Sequence, residues 1–214
     1  MFDEKDLETL KIVLVGESGV GKTSIITQYI DNIFQKDQQS TIGGTFSTKT
    51  VKCGNGKILK LELWDTAGQE RYRSVTKLFY KDANAAILVY DITNKFSFEE
   101  IQNYWFGQVK DSAPENIIIA IVANKLDLYE NEQVDETIAR KYAQDNNALF
   151  ASTSAKNTSG IEDLFIEIAK IYSGSDSALT IQEKDEAEEY KKIRKESVRI
   201  TREEMKNNKK KGCC

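Results

Sequence analysis

The sequence predicts a three-layer α/β fold, with a mixed six-stranded sheet that is mostly parallel and carries one antiparallel edge hairpin, and about five helices. Three observations predict it. Short apolar runs rich in β-branched residues recur at 11–15 (KIVLV), 60–64 (KLELW), 85–90 (AAILVY), 117–122 (IIIAIV) and 148–152 (ALFAS). Most lack polar alternation, which marks strands buried on both faces of a parallel sheet. Helical periods lie between them; in 159–172, Ile161, Leu164, Phe165, Ile168 and Tyr172 fall on one face. One pair breaks the alternation. The run at 45–53 is followed by Gly54-Asn55-Gly56, a tight-turn signal that joins it to the next strand as an antiparallel hairpin at a sheet edge.

The chain has 214 residues, enough for one domain plus an extension. Large apolar residues thin out beyond Ser173, so residues 1–173 read as the domain and 174–214 as a flexible charged tail. A net charge of −4 gives no general attraction to nucleic acid, and none is expected as a partner. Histidine is absent, which excludes Ser-His and Cys-His nucleophile pairs and most zinc sites. The N-terminus is acidic and resembles no signal peptide, and no apolar run approaches a membrane span. A reduced, intracellular, monomeric protein is expected.

The first strand runs straight into GESGVGKT (16–23), which fits G-x-x-x-x-G-K-[ST] between a strand and a helix. Gly19 and Gly21 allow backbone N–H groups to turn inward around an anion, and the helix starting near Lys22 adds its positive end. Lys22 can reach outer phosphates; Thr23 offers a hydroxyl to Mg²⁺. The second element is LELWDTAGQE (61–70). Asp65 closes a strand at the edge where open α/β sheets bind ligands, and it suits the water shell of Mg²⁺. Gly68 can bring a backbone N–H to a terminal phosphate, and Gln69 can orient a water without acting as a full base.

The strand at 117–123 ends in NKLD (124–127). Asp127 could accept from the N1–H and 2-amino group of guanine, a donor pair that adenine lacks. Asn124 can brace the loop, and the Lys125 stem can lie across the ring. A further strand leads to STSAK (152–156), where N–H groups near Ala155 could meet the guanine O6.

GESGVGKT, Thr41, WDTAGQE, NKLD and SAK, in this order, resemble the small GTPases of the Ras superfamily over residues 10 to about 172. Within it the chain is similar to the Rab branch, through KLELW, ERYRSV, LVYDIT and SGIEDLF, and Gln38, ANAAILVYDIT and the small residues after Thr41 look more like the early-endosomal Rab group than the secretory ones. The resemblance implies a P-loop NTPase fold of the Ras-like G-domain type, GTP/GDP and Mg²⁺ as ligands, and slow GTP hydrolysis with Gln69 as the catalytic residue. It implies nucleotide contacts from Ser18, Gly19, Val20, Gly21, Lys22, Thr23, Ser24, Phe34, Thr41, Gly68, Asn124, Lys125, Asp127, Ser154, Ala155 and Lys156. It implies Thr23, Thr41 and Asp65 around the metal. It also implies two switch segments, about 35–47 and 66–80, and an effector surface on Phe46, Trp64 and Phe79. An exchange factor, a GTPase-activating protein, effectors and a lipid-shielding carrier for the GDP state are the implied partners. Two rivals remain at this point: a nucleotide-locked GTP-binding scaffold with negligible turnover, and an ATP-using P-loop enzyme.

The tail ends in KKKGCC. Residues 190–211 hold ten Lys or Arg against three Glu, a net +7. The end is not C-a-a-X, because a cysteine is last. It is similar to the double-cysteine ends that receive two geranylgeranyl groups, so Cys213 and Cys214 are the expected lipidation sites. Two chains give stable anchoring where one does not. The expected location is the cytoplasmic face of an intracellular membrane, endosomal by resemblance, with cycling through the cytosol.

Overall fold

The computed structural model describes residues 7–36, 38–41, 44–53, 57–68 and 78–174. Six strands form one sheet: β1 (Glu8–Val15), β2 (Gly44–Lys52), β3 (Ile58–Thr66), β4 (Ala85–Asp91), β5 (Ile118–Asn124) and β6 (Leu149–Ser152), in the order β2-β3-β1-β4-β5-β6. Every neighbouring pair is parallel except β2 with β3, which is antiparallel from Gly44↔Thr66 to Lys52↔Ile58. The mixed sheet with one antiparallel edge pair therefore forms as the sequence predicts. The turn expected at Gly54-Asn55-Gly56 lies outside the described residues.

Among the described residues, helices that pack around it include α1 (Lys22–Asp31), α2 (Lys95–Glu100), α3 (Phe106–Ser112), α4 (Glu136–Asp145) and α5 (Ile161–Ser173). A π-helical turn, Ile101–Trp105, joins α2 to α3, and a 3₁₀ segment spans Leu126–Asn131.

Alternation along each strand divides the core into two layers. Leu10, Ile12 and Leu14 of β1 face a cluster with Ile25 of α1 and Leu164, Phe165 and Ile168 of α5. Val13 and Val15 face the other cluster, with Ile101, Trp105 and Val109 of the π turn and α3 and with Ala139 and Ala143 of α4. Of the α5 stripe predicted from the sequence, Ile161, Leu164, Phe165 and Ile168 are buried and Tyr172 is half-buried, and Phe165 stacks on Tyr29 of α1 at 3.9 Å. Burying a side chain of this size contributes about 1.5–3 kcal/mol, so these layers hold the sheet rigid.

Strand order sets the position of the site. β1 lies between β3 and β4, and these five parallel strands, β1, β3, β4, β5 and β6, all finish at the same edge. The loops that leave those ends carry the motifs at 16–23, 65–68, 124–127 and 152–156, while Phe34 and Thr41 come from the segment between α1 and β2.

Candidate functional site

The loop after β1 wraps the Lys22 ammonium, which donates to the carbonyls of Gly16 (2.8 Å) and Glu17 (2.9 Å). Lys22 is only 5% exposed. Burial pushes its pKa down to about 8, against the opposing pull of Asp65 and Glu17. Among the described residues its hydrogen bonds go to two neutral carbonyls, and the pull of Asp65 and Glu17 does not offset its burial, so the site is short of negative charge. An anion in the loop would supply it.

Close packing explains two glycines. Gly21 takes φ +98°, and a Cβ there would lie 2.3 Å from Asn124 Nδ2. A Cβ on Gly68 would lie 2.5 Å from Glu17 C and Ser18 N, so the DTAG turn rests directly on the phosphate loop. Only glycine permits both approaches.

Three oxygens from distant positions meet beside Lys22. Thr23 Oγ1 donates to Asp65 Oδ2 at 2.6 Å and lies 2.8 Å from Thr41 Oγ1, which reaches the same Oδ2 at 3.3 Å. Asp65 is 1% exposed, and its Oδ1 has no hydrogen-bond partner. Burial holds its carboxyl above the usual range, although the threonine hydroxyls and Lys22 pull the other way. An orphaned buried carboxylate oxygen beside two hydroxyls fits a hard cation. Among the described residues no group of three or more His, Cys, Asp or Glu could hold a metal. One carboxylate and two hydroxyls are a donor set that suits an oxygen-loving cation keeping several waters, as Mg²⁺ does.

The base end is built by side chains that tie loops together. Asn124, 1% exposed, donates from Nδ2 to the Val20 carbonyl (2.8 Å) and accepts from Thr153 Oγ1 (3.1 Å). It joins the phosphate loop to the loop after β6. Lys125 follows in a left-handed conformation (φ +68°), with its ammonium 2.6 Å from Asp91 Oδ2. Asp127 accepts from Ser154 Oγ at 2.6 Å and stands 3.7 Å from the Lys156 ammonium.

Both ends open into one cleft of about 460 Å³. Its walls include Ser18, Gly19, Gly21, Lys22, Thr23, Ser24, Phe34, Thr41, Gly68, Asn124, Lys125, Asp127, Ala155 and Lys156. Val20, Asp65 and Ser154 are buried behind that wall, acting through Asn124, Thr23 and Asp127 respectively. Gln69, Cys213 and Cys214 lie outside the described residues.

Several contributors escaped the sequence reading. Asp91 and Thr153 hold Lys125 and Asn124. Trp105, turned inward by the π-helical segment, donates its indole N–H to Glu17 at 3.3 Å. Asp91 carried a usable signal, an acid closing an all-apolar run, as Asp65 does. Thr153 and Trp105 carried none. Beside the cleft, Phe46 opposes Trp64 across β2 and β3, with ring centroids 5.0 Å apart, and Trp64 lies 5.6 Å from Phe79. Phe46 is 48% exposed and the adjoining Leu78 73%, so an apolar surface faces solvent there.

Residues 11–174 match the profile of the family described as the Ras family. The chain is similar to the human protein named Ras-related protein Rab-22A, at 42% identity over 173 residues, covering 81% of this chain and 88% of the relative. It is also similar to the GTP-binding protein ypt5 of Schizosaccharomyces pombe, at 44% identity over 161 residues, covering 75% of this chain and 76% of the relative.

Proposed function

The chain belongs to the Ras family, in its Rab branch, and from that premise we propose a residue-level account of how its cleft works and how its tail is used. It is a GTP hydrolase of the kind that regulates vesicle trafficking, which sets aside the locked scaffold and the ATP enzyme. The observation that carries the account is one cleft with an anion-seeking loop around the buried Lys22 ammonium at one end and Asp127 at the other.

At the phosphate end, Lys22 and the N–H groups of residues 18–24 hold the β- and γ-phosphates. Thr23, Thr41 and, through water, Asp65 are the residues that would hold Mg²⁺. That ion would neutralise charge on the phosphate oxygens. At the base end, Asp127 reads the guanine edge, Ala155 meets O6, Lys125 and Phe34 cover the ring, and Asn124 keeps the two ends in register. Gln69 orients the attacking water. Thr41 ties one switch segment to the phosphate end, and Gly68 ties the other. Loss of the γ-phosphate releases both, and a partner that docks on Phe46, Trp64 and Phe79 therefore binds one nucleotide state better than the other.

The test of this account is Gln69→Leu. Turnover of bound GTP is expected to fall about tenfold or more with GTP affinity nearly unchanged, as for a group that acts only in the transition state. Single-turnover phosphate release alongside equilibrium binding checks it; unchanged turnover removes Gln69 from its role.

The tail, 174–214, is read as a tether to an endosomal membrane carrying two prenyl groups on Cys213 and Cys214. Support comes from the double-cysteine end and its lysines, each of which adds about 1 kcal/mol of attraction to an anionic surface. Cys213→Ser with Cys214→Ser is expected to move the protein from the membrane fraction to the cytosol while GDP binding is unchanged. Retention on membranes after both changes would remove lipid from the account. Among the described residues no helix is long and apolar enough to cross a membrane.

A further inference from the structure

Asp91 ends β4, and β4 pairs with β5 so that Asp91 lies opposite Asn124. The next residue after Asn124 is Lys125, whose side chain turns sideways to the neighbouring strand and places its ammonium 2.6 Å from Asp91 Oδ2. The Asp91 side chain is 10% exposed and that of Lys125 33%, so one end of the pair is walled in while the stem between them borders the cleft.

Asp91 is itself tightly held. Its Oδ1 accepts from Thr93 N (2.9 Å) and Thr93 Oγ1 (2.7 Å). Its backbone N–H donates to Ser97 Oγ at 3.0 Å, and Ser97 is fully buried. Its carbonyl accepts from Asn94 N at 3.0 Å. The other end of the lysine is fixed as well. The Lys125 backbone sits at φ +68°, and its carbonyl accepts from Leu128 N at 2.8 Å.

We propose that Asp91 is a positioning residue for base recognition, anchoring the Lys125 ammonium so that its four-carbon stem is held extended along the base end of the cleft, ready to cover a purine face. The proposal rests on the guanine-nucleotide reading of that cleft. A free lysine side chain has many rotamers, and ordering it when ligand arrives costs affinity; a lysine ordered beforehand does not incur that cost at binding. The pair would add little as a mere strand tie, because a partly exposed ion pair contributes little to stability. Its place, at the end of two adjacent strands and against the ligand cleft, is what gives it a function. Asp127 selects which base enters; Asp91, through Lys125, sets how long any purine stays.

Asp91→Asn is a clean probe. It keeps Oδ1 for Thr93 and removes the negative charge that faces Lys125. The full chain is loaded with GDP bearing a fluorescent ribose tag, and release is followed after adding excess GDP. The wild type, Asp91→Asn, Lys125→Met and the double variant are compared. Release from Asp91→Asn is expected to be about five- to tenfold faster. In the Lys125→Met background the same change is expected to add less than about twofold, because the group it acts through is gone. The GDP-to-IDP affinity ratio is expected to stay at the wild-type value, since the 2-amino contact belongs to Asp127. Unaltered release in Asp91→Asn overturns the proposal. So does equal acceleration with and without the Lys125 ammonium, which would mean Asp91 acts on the fold alone, and so does a changed GDP-to-IDP ratio. Failure of the wild-type chain to bind GDP would overturn the nucleotide reading itself.

Discussion

Asp127→Asn is expected to move base preference from guanine to xanthine, with GDP affinity falling by about 10²–10⁴-fold. The magnitude follows from the bonds removed. Guanine presents N1–H and the 2-amino group to one carboxylate, and hydrogen bonds to a charged acceptor are worth about 1.5–3 kcal/mol each. An asparagine amide can accept only one of them, and its own N–H₂ then faces the 2-amino donor. Xanthine carries a carbonyl at that position, so the amide meets an acceptor instead. The fold has little reason to object. Asp127 is held by Ser154 Oγ at 2.6 Å, a bond that the asparagine oxygen can still accept. The other partner, Lys156, is 61% exposed and 3.7 Å away, so its loss costs little. Titration with GDP and XDP checks the outcome. If the two affinities keep their wild-type order, Asp127 does not read the base.

The position of Asp127 was legible because it combines a local motif with a strand end. IIIAIVA must be buried, so the residues that follow it must emerge at the sheet edge, and NKLD is carried there with them. The same logic placed Asp65 and the loop of residues 16–23. It falters where the structure depends on pairings that no local pattern records. β1 starts at Glu8, three residues ahead of its apolar run, because Glu8, Thr9 and Leu10 are in register with Leu59, Lys60 and Leu61 of β3. Backbone pairing, not hydrophobicity, extends that strand. The braces of the cleft are non-local too. Thr153 reaches Asn124 across 29 positions and Trp105 reaches Glu17 across 88. The π-helical turn that aims Trp105 is invisible to a reading that assumes 3.6 residues per turn. Motifs therefore gave the groups expected to touch a ligand, while Thr153 and Trp105, which brace the loops, became visible only with the sheet assembled.

Lys22→Met is expected to lower GDP affinity by about 10³-fold while changing the stability of the unliganded fold far less. Two effects oppose in the empty protein. Methionine keeps most of the stem and removes a buried cation whose desolvation is unfavourable. It also leaves the Gly16 and Glu17 carbonyls without the donor they now share. With nucleotide present, on the proposed account, the phosphates lose the Lys22 ammonium and nothing offsets that loss. Thermal melting separates the cases. Ligand stabilises by RT ln(1 + [L]/Kd), so a saturating GDP concentration that raises the wild-type midpoint should raise that of Lys22→Met by much less.

The pH dependence supplies an independent check on the same side chain. Burial lowers the Lys22 pKa from 10.5 to about 8. Below pH 8 the ammonium is charged in both the folded and unfolded chain, and its burial penalty is fully present. Between about pH 8 and 10.5 the unfolded chain still holds the proton while the unliganded fold gives it up, so this group's contribution to stability rises with pH. Bound phosphate favours the ammonium, so GDP binding above pH 8 must take up a proton, and affinity should fall by up to about tenfold per pH unit there. Lys22→Met should lose that slope. A wild-type affinity that stays flat from pH 7 to pH 9.5 would mean that the ammonium does not meet the phosphates, and the phosphate end of the cleft would need another cation.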